Sequence, residues 1–118
     1  MLVKKFETND TSYDVEKMQK KLQEIKDQEG IIGYILRGTK SASIDIKDPI
    51  KIIDYAVLSS TVFDVGNDIT ESFQLGEVDT IVVESEETKL MSMDINNHRI
   101  SLFMEKSVDH DKLYKNLK

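Results

Sequence analysis

The chain of 118 residues contains no cysteine, no tryptophan and a single proline, Pro49. Without cysteine there is no disulfide framework, no thiolate nucleophile and no zinc-ribbon site. A cytoplasmic setting fits that absence. No apolar run approaches the ~18 residues needed to cross a bilayer. Lys4 and Lys5 follow the N-terminus, but no apolar core segment comes after them, so no signal peptide is expected. Basic charge is also scarce. A net charge of −6 and a pI near 4.9 leave no basic stripe, and binding to a polyanion rests on lysine and arginine neutralising phosphates. Lysines gather towards the two ends, at Lys4, Lys5, Lys17, Lys20, Lys21 and again at Lys112, Lys115 and Lys118. Aspartate and glutamate are interleaved among them, as on solvated helix faces.

What remains is ordinary for a small domain: 39% hydrophobic and 32% charged residues, sufficient for one domain with one core over residues 1–118. No internal repeat, low-complexity stretch or linker interrupts it. Residues 1–10 read as a strand-like lead-in. Thr11 or Ser12 offers an N-cap, with Asp14 and Glu16 in the first turn. Val15, Met18, Leu22 and Ile25 recur on one helical face, and Gly30 supplies a C-terminal stop. Residues 31–37 predict a strand apolar on both faces. Gly38-Thr39-Lys40 predicts a tight turn, and residues 41–46 an alternating edge strand with Ala42, Ile44 and Ile46 on one side.

Asp48-Pro49 opens a long helix that the pattern carries to residue 75, about 40 Å at ~1.5 Å per residue, with Gly76 as its stop. Three strands then follow at hairpin spacing, over 78–84, 89–95 and 99–105. Ser85–Thr88 forms a polar turn, and Asn96-Asn97 makes a two-residue turn. The first and third of these strands read as apolar on both faces; the second places Met91, Met93 and Ile95 on one. A short last helix begins near Ser107 or Asp109 and carries Leu113 and Leu117. Strands apolar on both faces need cover on both sides. The expected fold is therefore α+β: a three-layer α/β/α sandwich in the order α-β-β-α-β-β-β-α. The long helix lies on one face of a five-stranded antiparallel sheet and the two shorter helices lie on the other.

The long helix carries more apolar surface than one sheet needs. One stripe runs Tyr55, Leu58, Val62, Val65, Ile69. A second, about 100° away, runs Ile52, Ala56, Ser59, Phe63, Gly66, Thr70, Phe73, and Ile53 and Val57 widen the arc. Charge is confined mostly to Asp54, Asp64, Asp68 and Glu71. Ala56, Ser59 and Gly66 admit a close backbone, with Phe63 and Phe73 as anchors. A mid-helix glycine costs about 1 kcal/mol, which asks for a packing reason. The reading is an isologous homodimer, or a dimer with a paralogue, burying on the order of 800 Å² per partner. The second stripe forms the contact, and Val78, Thr80 and Val82 contribute an edge strand that pairs with its own copy.

Signals for chemistry are weak. His98 and His110 have no ligand partner at metal spacing, and the acids Asp109 and Asp111 beside His110 read as helix-dipole complement. Ser59-Ser60-Thr61 lies mid-helix without a nearby base. Gly30-x-x-Gly33 and Gly38-Thr39-Lys40-Ser41 lack the strand–loop–helix context of a phosphate cradle. Glu84, Glu86 and Glu87 read as a solvated turn, and Met91, Met93 and Met104 as adaptable packing. No enzyme activity, cofactor or metal is expected.

The order of elements resembles the roadblock / dynein light chain family, domains also found in regulators of Ras-like GTPases. The stretches that carry it are Gly30-Ile31-Ile32-Gly33-Tyr34-Ile35-Leu36, Asp48-Pro49, Leu75-Gly76 leading to Thr80-Ile81-Val82-Val83-Glu84, and Ser101-Leu102-Phe103-Met104. The family often has an Asp-Gly-type turn after the first strand, where this chain has Arg37-Gly38-Thr39-Lys40. The resemblance implies a dimer whose long helices pair and whose sheets join. It also implies a non-enzymatic regulator or scaffold for a Ras-like small GTPase, with help to phosphoryl transfer limited to positioning and electrostatics. Only Arg37 and Arg99 are available as arginine fingers, and both read as strand-end surface residues. A ligand-sensing domain of the PAS or GAF kind, or a scaffold subunit without GTPase contact, is the alternative.

Overall fold

The computed structural model describes residues 15–38, 42–76 and 79–117. The candidate caps Thr11 and Ser12, the first-turn acid Asp14, the turn residues Thr39 and Lys40, and Val78 lie outside them. The first helix, α1 (15–26), inserts Leu22 and Ile25 into the core. It ends before Gly30, whose φ of +86° instead shapes the turn into β1 (Ile31–Arg37). There follow β2 (Ala42–Ile46), a 3-10 turn (Pro49–Lys51), α2 (Ile52–Ser72), β3 (Thr80–Glu84), β4 (Thr88–Ile95), β5 (His98–Glu105) and α3 (His110–Leu117). The strands form one antiparallel sheet in the order β2-β1-β5-β4-β3, so β2 and β3 are its edges.

The sheet has a core on each face. On one, Tyr34, Leu36, Met91, Met93, Ile100, Leu102 and Met104 meet Leu22 and Ile25 of α1 and Leu113 and Leu117 of α3. On the other, Ile35, Ile46, Leu90 and Phe103 meet Ile52, Tyr55, Ala56 and Val62 of α2. A register shift between Ile31 and Gly33 sends Ile31 to the first core and Ile32 to the second. This is the expected three-layer arrangement. Side-chain bonds fix the outer helices: Lys26 pairs with Asp45 and Gln19 bonds Ser43, tying α1 to β2. The Tyr114 hydroxyl donates to Asp79 at 2.9 Å, tying α3 to the start of β3.

The helix boundaries follow local chemistry. The Asp48 carboxylate accepts from the Ile50 amide at 3.2 Å, with Pro49 in the first turn. At the far end α2 stops at Ser72, earlier than Gly76. Leu75 N–H bonds to Thr70 C=O at 2.8 Å, Gln74 N–H bonds to Glu71 C=O, and Gln74 takes the left-handed conformation (φ 54°). That is a Schellman cap with glutamine where glycine is usual. Asn96 and Asn97 both have positive φ, as their hairpin turn demands. The Asp109 carboxylate accepts from the amides of Asp111 and Lys112 and caps α3.

Three strands differ from the pattern reading. In β2, Ala42 and Ile44 are exposed, while Ser43 and Asp45 on the polar face are half-buried because Gln19 and Lys26 of α1 bond them. β3 has Val82 and Val83 exposed because it lies at the edge. β4, expected to bury one face, buries both, because it lies inside the sheet with Leu90 and Ser92 beneath α2.

Candidate interaction surface

The two apolar stripes of α2 exchange the roles expected of them. Ser59 and Phe63 are buried, and Ile52 and Ala56 are half-buried against the Ile46–Leu90–Phe103 cluster. The second stripe thus turns onto the chain's own sheet. Small residues there let the helix lie close to the strands, which the pattern alone cannot distinguish from closeness to another helix. Gly66 and Thr70, one and two turns on, are half-buried; Phe73, past the helix end, is 73% exposed. Tyr55 and Val62 lean onto the sheet from the other stripe, with the Tyr55 and Phe103 rings 4.5 Å apart. Leu58, Val65 and Ile69 stand free as an apolar shoulder.

Both arginines lie under this helix, a correction to their reading as surface residues. Arg37 and Arg99 are cross-strand partners on β1 and β5, and both are half-buried. Arg37 Nη2 donates to the Ala56 carbonyl at 3.2 Å, and the Arg99 guanidinium stacks on Phe63, 3.8 Å from Asp94. Both are committed to holding α2 on the sheet. Besides its contacts with Arg37 and Arg99, α2 also approaches β4 and β3. On β3, Ile81 and Val83 share the face of α2, while Thr80 and Val82 project to the opposite face. Val83 and Val82 are exposed, and the Thr80 hydroxyl is buried with no hydrogen-bond partner. Among the described residues the outer edge of β3 is unpaired. The helix with the apolar shoulder thus approaches the strand with the open edge.

A second apolar group lies on the outward crest of α2 and the turn before it. Ile50 is 91%, Ile53 76% and Val57 61% exposed. Ile53 and Val57 were legible as widening the arc; Ile50 and the exposed Leu75 were not, since each falls in a turn beyond the helical period.

The groups with catalytic potential are occupied locally. Ser59 Oγ and Thr61 Oγ1 donate to Ala56 C=O and Val57 C=O of their own helix. Ser92 and Ser101 pair with each other in the core at 3.0 Å. His98 is buried at the start of β5. His110 Nδ1 lies 3.0 Å from Lys89 Nζ, which is itself buried and 4.0 Å from Glu84. Lys89 has the strand parity of Met91 and Met93, a signal that pointed to the core. Among the described residues no group of three potential ligands could hold a metal, and no helix is long and apolar enough to cross a membrane.

A five-stranded antiparallel sheet with one long helix on one face and two short helices on the other defines an α+β sandwich class. Among solved structures, the chain resembles the Roadblock/LC7 domain from Streptomyces avermitilis. The TM-score is 0.66 over 85% of this chain and 84% of that one, at 18% sequence identity. The fold is that of a Roadblock/LC7 domain. No protein-family model and no curated protein matches the sequence.

Proposed function

We propose that residues 1–118 form a single roadblock-like domain acting as a non-enzymatic, homodimeric protein-interaction module in the cytoplasm. Its role is to regulate or scaffold a Ras-like small GTPase. The observation that supports this reading is that α2 exposes the apolar Leu58, Val65 and Ile69 and that β3, which α2 approaches, has an edge unpaired among the described residues. Exposed apolar side chains and an open strand edge are surfaces that a soluble chain covers with a partner. A second copy related by a two-fold axis meets that need: shoulder packs on shoulder while β3 pairs antiparallel with its mate. The interface moves from the stripe of Ser59 and Phe63 to this shoulder; Thr80 and Val82 remain in it through the backbone of β3. The GTPase partner follows from the family likeness.

Sedimentation equilibrium at micromolar concentration tests the dimer. A dimer that the triple variant L58E/V65E/I69E converts to a folded monomer is expected, and a wild-type monomer defeats the reading. Binding to a purified Ras-like GTPase, loaded with GDP or with a non-hydrolysable GTP analogue, tests the partner. Affinity that depends on the nucleotide is the supporting result.

A further inference from the structure

Charge is divided unevenly along this chain. Residues 52–98 hold ten carboxylates against one lysine, Lys89, a net of −9, whereas the remaining residues together carry +3. Every described carboxylate in that stretch is exposed, and Lys89 is buried, as is His98. The outside of α2 and of the β3–β4 hairpin therefore shows solvent a net anionic surface, although Arg99 lies 3.8 Å from Asp94 and Lys89 4.0 Å from Glu84. On α2 the acids Asp54, Asp64, Asp68 and Glu71 lie along the outward crest, and none has an ion-pair partner among the described residues. The helix itself contains no basic residue; Lys47 and Lys51, both exposed, precede it. On the same crest, one end carries Ile53 and Val57, and the other carries Asp64, Asp68 and Glu71. At ~1.5 Å per residue the acidic group begins about 10 Å beyond Val57.

We infer that this crest is a docking face for a protein segment that combines aliphatic side chains with lysine or arginine. The aliphatic groups cover Ile53 and Val57, and the cations sit over Asp64, Asp68 and Glu71. The inference rests on the interaction-module reading and specifies its partner's chemistry. Charge complementarity selects the occupant. A nucleic acid or an anionic membrane is repelled by the same carboxylates. A second copy of this crest brings like charges together, while the uncharged shoulder stays available for self-association. The negative field raises the association rate of a cationic partner and makes binding sensitive to salt. The exposed aliphatic pair supplies the part that salt does not screen.

The probe is a synthetic 18-residue peptide with leucine on one helical face and lysine on the other, followed by fluorescence anisotropy. The same peptide with glutamate for lysine, and one with serine for leucine, are the controls. The Lys/Leu peptide is expected to bind, with affinity falling at least tenfold between 50 and 300 mM salt. D64K/D68K/E71K is expected to lose at least tenfold. E16K/E24K/D27K, on α1 and the turn just after it and with the same overall charge change, stays within about threefold, and I53S/V57S also weakens binding. Equal losses in the two triple variants would mean that only bulk charge is read, and equal binding of the glutamate peptide would mean that charge is not read at all; either overturns the inference. Sedimentation of the peptide-free protein separates the two readings. A monomer that still binds the peptide removes the dimer and keeps the docking face. A dimer indifferent to the peptide removes the docking face alone.

Discussion

The guanidinium of Arg99 lies 3.9 Å from the centre of the Phe63 ring, sandwiched between α2 and β5. Phe63 is 0% exposed, so the residue that looked best suited to anchor a partner is instead the pin that holds the helix to its sheet. Phe63→Ala is expected to cost about 3–5 kcal/mol in urea unfolding, from lost burial and the cavity left behind. Phe63→Glu buries an unpaired carboxylate and should unfold the domain by circular dichroism. In a double-mutant cycle of Phe63→Leu with Arg99→Gln, a coupling of roughly 0.5–2 kcal/mol is expected from the cation–π contact. A coupling of zero would show that the stacking contributes only area.

Leu58, Val65 and Ile69 should behave in the opposite way. Placing glutamate at all three leaves circular dichroism and urea midpoint near wild type, because exposed positions tolerate charge. The sedimentation coefficient then reports the association state without the confusion of unfolding.

Gly33 faces Ile46 across the β1–β2 pair, and a methyl group there would meet Ile46 Cα at 2.7 Å as well as the Asp45 carbonyl. Backbone cannot yield as a flexible side chain does. Gly33→Ala is expected to cost on the order of 1–3 kcal/mol. Hydrogen exchange should show the loss first at the amides of β2, which separate from β1 before the rest of the sheet opens. Uniform loss of protection across all five strands would contradict that order.

Gln74 holds a left-handed conformation that glycine adopts without strain. Gln74→Gly should therefore raise stability by about 0.5–1 kcal/mol, and no change in the urea midpoint would count against the cap described here.

Tyr34 is buried, and burial raises its pKa above the ordinary 10.0, with the Asp45 carboxylate adding in the same direction against smaller opposing effects of Gln23 and Lys26. The folded state thus favours the neutral phenol more than the unfolded state does. Its contribution is complete below the unfolded pKa of about 10 and is lost as pH rises through the folded value. Stability is expected to fall above pH ~10, and Tyr34→Phe should flatten that fall. An equally steep decline in the variant would assign it to other groups.

Much of the fold was legible in single residues. Asp48-Pro49 marked the start of the long helix because a side-chain acceptor followed by a ring lacking N–H suits a helix start. Asn96-Asn97 marked its hairpin because asparagine tolerates positive φ. Gln74 hid the end of the helix, since a glutamine in the left-handed region has no distinctive local pattern. The strand over 88–95 hid its second buried face for another reason. Ser92 is polar in sequence, yet it lies in the core because Ser101 stands opposite and shares its hydrogen bond.

Composition, spacing and capping residues by themselves determined the number and order of elements, the three layers, and a helix too apolar for one sheet to cover. Only the tertiary structure decided which side of that helix meets the sheet. Helical periodicity places residues around an axis but carries no reference to what lies outside it. The reference is supplied by Arg37, Arg99 and Phe103, distant in sequence, which turn Ala56, Phe63 and Tyr55 inward and leave Leu58, Val65 and Ile69 facing out.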